Sequence, residues 1–176
     1  PMLDSALVPG TILGLTGQMG ALTDLAVTPD NSRIFVADAA MGILLIDPIA
    51  QRSMMLGGPE TLNLSGIYGI EYINTNLIVT QSGISPQRIM RLQLNPAGTA
   101  VVGVTPMASS LDGFDTPGVG TLRGESLYYF ANHGTRKADQ ELLMMASPLS
   151  AGNEVKPPDM NQFGEAFKNT LDQQQQ

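Results

Sequence analysis

Few side chains in this sequence can do chemistry, and most of those are oxygen donors. Cysteine is absent and His133 is the single histidine. Disulfides, thiolate zinc sites, iron–sulfur clusters, cysteine nucleophiles and multi-histidine metal centres are therefore excluded within one chain. What remains is carboxylate, amide and hydroxyl chemistry around one imidazole. Asp24, Asp115 and Asn132 offer oxygen ligands of the kind a hard divalent cation takes; calcium and zinc are the cations considered. His133 stands in Ala-Asn-His-Gly-Thr-Arg-Lys. An imidazole there is a general base or substrate contact by residue type, with Asp115 as a carboxylate for the same task. Arg136 and Lys137, three and four residues on, could draw in an anionic ligand. Each has a plainer reading beside it. A lone loop histidine or cation pair is commonly just solvated, and Asp or Asn at a strand end commonly folds onto the loop backbone.

Other function classes lose ground on charge and pattern. Nine basic residues face sixteen acidic ones, a net charge of -7 that would repel a phosphate backbone, so nucleic acid is not an expected partner. No apolar run approaches the roughly 18 residues of a membrane span, and no signal peptide is visible at the start of the chain. The run Gly118-Val119-Gly120 with Gly124 is one residue too long for a dinucleotide fingerprint and joins two strands. No phosphate-binding loop or nucleophile elbow is present. Asn63-Leu64-Ser65 matches a glycosylation acceptor, which matters only in a eukaryotic secretory setting. Compartment stays open, since a chain without thiols works in reducing and oxidising surroundings alike.

The elements that must position these residues come from internal repetition. Three stretches, 24–38, 68–81 and 117–132, each read as a short apolar strand, a polar turn and a second apolar strand ending in Asp38, Gln81 or Asn132. Those ends are spaced by 43 and 51 residues. A second anchor follows each unit at Asp47-Pro48, Asn95-Pro96 and Ser147-Pro148. Only 14% of residues are charged, while 19 Gly and 12 Pro interrupt any long helix. A period of roughly 40–50 residues with about four strands each is that of propeller blades. The expected fold is all-β: about three four-stranded blades near 22–56, 66–105 and 113–155, after a remnant strand at 11–15. Strands are expected at 22–28, 33–37, 42–46, 53–56, 67–73, 77–80, 88–94, 100–105, 118–122, 127–131 and 142–146, with a type I turn at 29–32. The third unit's fourth strand is weak. Pro157-Pro158 closes the propeller part of the chain, 1–158. Met160, Phe163, Phe167 and Leu171 then mark one face of a short helix over 159–171, ahead of a Gln tail ending at 176. In such a fold one face gathers the loops after each second strand and the starts of the inner strands. That face would carry Thr23, Asp24, Asp38, Tyr68, Gln81, Ser82, Asp115, Thr116, Asn132 and His133.

At these residues the sequence resembles the gluconolactonase, regucalcin and strictosidine-synthase-like superfamily of six-bladed propellers. The resemblance is carried by Ala-Val-Thr-Pro-Asp-Asn-Ser-Arg-Ile-Phe-Val-Ala-Asp-Ala-Ala-Met-Gly-Ile-Leu-Leu-Ile-Asp-Pro from Ala26 to Pro48, by the segment from Phe114 to Gly134, and by Pro-Leu-Ser-Ala-Gly-Asn-Glu-Val-Lys-Pro-Pro at 148–158. It implies that the loop face binds a small molecule and a metal. The family's metal site takes a first-blade carboxylate, an Asn before an inner strand and an Asp before another. Here Thr23 stands at the Asn position, Asp24 follows it, Asp115 matches the Asp, and the first-blade carboxylate has no counterpart. Six blades need about 270 residues, so this chain resembles the C-terminal half of such a ring. The expected function is binding of a small molecule through Asp24, Tyr68, Gln81, Asn132 and Arg136. The alternatives are a metal-dependent lactonase or ester hydrolase, with Asp24, Asp115 and Asn132 on the cation and His133 or Asp115 activating water, and a structural or protein-interaction propeller. A homodimer or a missing N-terminal half would complete the ring.

Overall fold

In the computed structural model the described residues are 20–134 and 141–150. The expected strand at 11–15, Arg136, a fourth strand of the third unit beyond residue 150 and the helix over 159–171 lie outside them. The described chain is all-β. It forms three antiparallel meanders in sequence order: β1 (Leu22–Val27), β2 (Ile34–Asp38), β3 (Gly42–Asp47) and β4 (Arg52–Met55); then β5 (Ile67–Ile73), β6 (Asn76–Gln81), β7 (Arg88–Leu94) and β8 (Val101–Ser109); then β9 (Gly120–Arg123), β10 (Ser126–Phe130) and β11 (Met144–Pro148). Within each sheet every strand pairs with its sequence neighbour. Between sheets, β1 runs beside β5 and β5 beside β9. The first strands of successive sheets are thus neighbours, the arrangement of propeller blades around an axis.

Strand parity shows why three such sheets stack. From the first sheet Phe35, Ala37, Ile43 and Leu45 point one way and meet Ile70, Leu77, Val79, Met90 and Leu92 of the second. Phe35 stacks on Tyr72 with ring centroids 6.0 Å apart. The alternate residues of the second sheet, Ile78 and Ile89, join Met107, Leu127, Tyr129 and Ala131 in a second core. The middle sheet is therefore covered on both faces, and the centre of β6 is a consecutive apolar run, Leu77, Ile78 and Val79, all buried, as in strands enclosed on two sides. At roughly 1.5–3 kcal/mol per fully buried large apolar side chain, these two interfaces are the main source of stability. Gly69 lets β5 approach the strand that enters β9: a Cβ there would lie 3.0 Å from the Gly118 carbonyl oxygen and 3.2 Å from Val119 Cα.

Several boundaries differ from the expected ones. The strand expected at 100–105 continues as β8 to Ser109, through Pro106. The outer strand of a sheet has no partner on one side, so the missing proline N–H breaks no ladder bond. β11 begins at Met144 rather than 142, because the Asn132 side-chain oxygen takes the Leu143 N–H at 2.7 Å. β9 begins at Gly120 instead of 118. The turn after β1 closes one residue early, with Asn31 N–H donating to the Thr28 carbonyl at 2.8 Å and Asn31 itself left-handed at φ 56. That places it outside a type I turn over 29–32. Asp30 fastens this turn. The Thr28 hydroxyl, then the Ser32 N–H and hydroxyl, hold its carboxyl down at about 2.

Candidate functional site

One end of the stack gathers the start of β1, β5 and β9 and the end of β2, β6 and β8, and the sequence-predicted residues that are described lie around it. The recurring polar residues at the ends of the second strands prove to be internal fasteners. Asp38 is 3% exposed and accepts N–H groups from Gly20, Ala21, Ala40 and Met41 at 2.6–3.2 Å. Burial opposes its ionisation. The four N–H donors outweigh that and hold the carboxyl below its ordinary value. Gln81 is fully buried. Its amide nitrogen donates to the carbonyls of Asn63 and Ser65 at 2.8 and 2.6 Å, and its oxygen accepts Arg88 Nε at 2.7 Å. Asn132, also buried, donates to the Glu141 carbonyl and accepts from Leu143. Side chains so engaged set the paths of their loops.

Asp24 is shared between sheets. Its Oδ1 accepts Leu25 N–H and its Oδ2 accepts Ile70 N–H at 3.0 Å, across 46 residues of sequence. It neighbours Thr23, whose hydroxyl donates to the Ile67 carbonyl at 2.9 Å. Thr23 occupies a break in the β1–β2 register, and Tyr68 occupies the matching break in the β5–β6 register. A bulge of this kind re-aims one side chain. Tyr68 is 38% exposed and lies over Gly83, where a Cβ would come within 3.1 Å of Tyr68 Cε2.

Asp115 and His133 are brought onto adjoining segments. Asp115 N–H donates to the Ala131 carbonyl at 2.9 Å, and Gly134 N–H donates to the Asp115 carbonyl at 3.1 Å. His133 is exposed, packs beside Gly118, and has its ring 6.5 Å from that of Phe130. No side-chain hydrogen bond engages the Asp115 carboxylate among the described residues, and it is exposed. Among the described residues no three His, Asp or Glu side chains are gathered closely enough to share a metal ion. Arg136 falls outside the described residues.

The structure adds residues that sequence reasoning missed. An open depression of about 580 Å³ lies between the 85–87 segment and the 110–115 segment, lined by Ser85, Pro86, Gln87, Ser110, Leu111, Phe114 and Asp115. Gln87 is its keystone. The Gln87 carbonyl accepts Ser110 N–H at 3.0 Å, and its side-chain oxygen accepts Thr116 N–H at 3.2 Å. The loop that follows β6 thereby holds both ends of the loop that precedes β9. The Phe114 ring meets Tyr129 edge-on, with centroids 6.0 Å apart, which anchors the floor to the second core. The Ser82 hydroxyl, three residues before the wall residue Ser85, is buried without a hydrogen-bond partner among the described residues. The available sequence signal was length. The connection after the second strand grows from 39–41 in the first unit to 82–87 in the second, and long loops on a rigid scaffold carry function.

The described residues define the class as all-β, with propeller-type blades stacked in sequence order. No family model and no curated protein matches this sequence. Solved structures do resemble it in outline. One is the PQQ-bound form of aldose sugar dehydrogenase from Streptomyces coelicolor, at 13% identity and a TM-score of 0.46, covering 72% of this chain and 42% of that chain. Another is the computationally designed Ika4 protein, at 11% identity and a TM-score of 0.40, covering 77% of this chain and 98% of that one. The chain thus spans less than half the length of the dehydrogenase. Likenesses this distant transfer neither family nor activity.

Proposed function

We propose that this chain is part of a gluconolactonase-like propeller that binds a small molecule on its loop face, in the depression walled by Gln87 and Asp115. One observation carries the reading. An exposed carboxylate with no partner among the described residues, two serines and an aromatic floor converge on a depression whose walls are cross-braced. Concave sites with a few fixed polar groups over an apolar floor are where small ligands bind. Tyr68, over Gly83, and His133, beside Gly118, lie at the same end of the stack and are further candidate contacts. Asp24, Gln81 and Asn132 act indirectly, by holding the loops.

The hydrolase alternative asks for a cation held by Asp115 and water activated by His133. Its other expected ligands, Asp24 and Asn132, already satisfy backbone groups, so binding is the reading we favour. Saturation-transfer NMR with D-glucono-1,5-lactone, and with D-gluconate as its ring-opened counterpart, tests the proposal. Signal on either probe that is lost in Asp115→Ala supports it. Silence with both probes, or equal signal in the variant, overturns it. The same samples with calcium or zinc, followed by pH-stat, test the hydrolase. Lactone consumption above the spontaneous rate that depends on both Asp115 and His133 would establish it.

A further inference from the structure

The opposite end of the stack carries a second concavity with different chemistry. A cavity of about 150 Å³ opens between the first and second sheets, lined by Arg33, Leu45, Asp47, Arg52, Ser53, Met54 and Thr99. Three turns build it. Arg33 ends the connection from β1 to β2, Asp47 and Arg52 bracket the connection from β3 to β4, and Thr99 lies between β7 and β8. The described residues include five arginines and no lysine, and two of those arginines are here. Two of the others are engaged elsewhere, with Arg88 donating to Gln81 and Arg91 to the Leu149 carbonyl.

Arg33 reaches across the sheet interface. A Cβ on Gly98 would lie 3.4 Å from Arg33 Nε and Nη1, so the guanidinium rests against the second sheet's turn at a glycine whose φ is +65. Arg33 makes no ion pair and donates no side-chain hydrogen bond among the described residues. Arg52 stands 3.7 Å from Asp47 Oδ2. Asp47 is itself fixed, because Ile49 and Ala50 N–H groups both bind its Oδ1. The Ala50 N–H leads in keeping that carboxyl below its ordinary value, against some burial, and the Ile49 N–H, Arg52 and Arg33 add to it. One carboxylate thus stands against two guanidiniums, which leaves a net positive charge in a chain whose total is -7. Two hydroxyls complete the lining. Thr99 Oγ1 accepts from Asn95 Nδ2 at 3.1 Å, so its own proton is available, and Ser53 has no side-chain partner among the described residues.

We propose that this cavity is an anion site that takes a small oxyanion, a carboxylate or a phosphate group, with Arg33 as its main ligand. Arg52, Thr99 and Ser53 add donors. A guanidinium presents its N–H groups as a planar fork that matches two oxygens of such a group. A cavity of about 150 Å³ is of the size that takes a benzene-sized ligand, room for one anionic head and a short stem against Leu45 and Met54. This site is separate from the loop-face depression and does not rest on that reading.

Amide NMR titration of the whole chain with sodium phosphate and, separately, sodium acetate, each against sodium chloride at matched ionic strength, decides it. The expected result is saturable shifts at Ser53, Met54 and Thr99, weakened about tenfold or more in Arg33→Gln, as for the loss of one charge-assisted hydrogen bond. Arg123→Gln, at an exposed arginine outside the cavity, should bind as the wild type does. Saturation by phosphate alone assigns a phosphate group, and saturation by acetate alone assigns a carboxylate. Should Arg33→Gln fold poorly, Thr99→Val supplies the same comparison with a smaller expected loss. Shifts that never saturate, or that spread equally to Arg88, Arg91 and Arg123, overturn the proposal, as does unchanged binding in both cavity variants.

Discussion

Asp38→Ala removes the acceptor for four backbone N–H groups at once, and its cost should depend on pH in a defined direction. A hydrogen bond to a buried charged group contributes about 1.5–3 kcal/mol. Four would give an unrealistic sum here, because Gly20, Ala21, Ala40 and Met41 are all exposed and water can replace part of what is lost. Discounted in that way, the expected loss near neutrality is about 2–3 kcal/mol. For a domain of this size that is a fall in melting temperature of roughly 5–10 °C. The sign follows from the depressed carboxyl. Its stabilisation is fully present above the ordinary value of 3.8 and is lost as pH falls through the lower value it has in the folded chain. The gap between wild type and variant should therefore be constant from pH 8 to about pH 5 and should narrow below pH 4. Asp30 and Asp47 are also held down, but both are present in each protein and cancel in the difference. Urea unfolding at several pH values measures it. Gln81→Ala is the control: it also removes a loop fastener, at about 2–4 kcal/mol, but an amide does not titrate, so its gap should be flat. A flat gap for Asp38→Ala down to pH 3 would refute the view that charge, rather than shape, holds this loop.

Two further substitutions probe how the sheets meet. Gly69→Ala should cost about 1–3 kcal/mol, because the added methyl meets backbone at Gly118 and Val119 that cannot swing aside; an unchanged urea midpoint would mean that the two inner strands are not in contact there. Asp24→Asn keeps an acceptor for Ile70 N–H but removes the charge beside Glu71. Burial first, then Asp24, raises the Glu71 carboxyl above its ordinary 4.5, so ionising it opposes folding at higher pH. Its titration midpoint, followed by carboxyl carbon NMR, should move down in the variant, and an unmoved midpoint would separate the two residues.

The architecture was legible in the sequence because it repeats. Ile34–Asp38, Asn76–Gln81 and Ser126–Phe130 all lie in stretches singled out as second strands, each displaced by at most a residue or two. Period-two apolar patterning with polar turns is a local signal, and local signals survive without knowledge of tertiary partners. The misses came from non-local causes. Nothing within the run from Ala100 says that Pro106 sits on an outer edge, where it breaks no ladder, and nothing near Leu143 says that its N–H will be taken by Asn132. The site was less legible for a related reason. Asp38, Gln81 and Asn132 stood out because they recur, yet recurrence marked what every unit needs to build its own loops.

That distinction bears on where binding resides. A residue type that returns in each sheet serves a requirement common to all sheets, such as closing a loop whose N–H and carbonyl groups lie too deep for water. A ligand breaks the equivalence of the units, so its contacts should come from what one unit has and the others lack. Gln87 meets that condition: its side chain ties Thr116, ahead of β9, to the connection after β6, whereas the connection after β2 holds only Ala39, Ala40 and Met41. Arg33 meets it as well, since, counted back from Asp38 and Gln81, Ser32-Arg33 in the first unit is replaced by Thr75-Asn76 in the second. The two proposed sites thus lie at opposite ends of the same stack, each built where the repeat is broken and each supported by sheets in which it is kept.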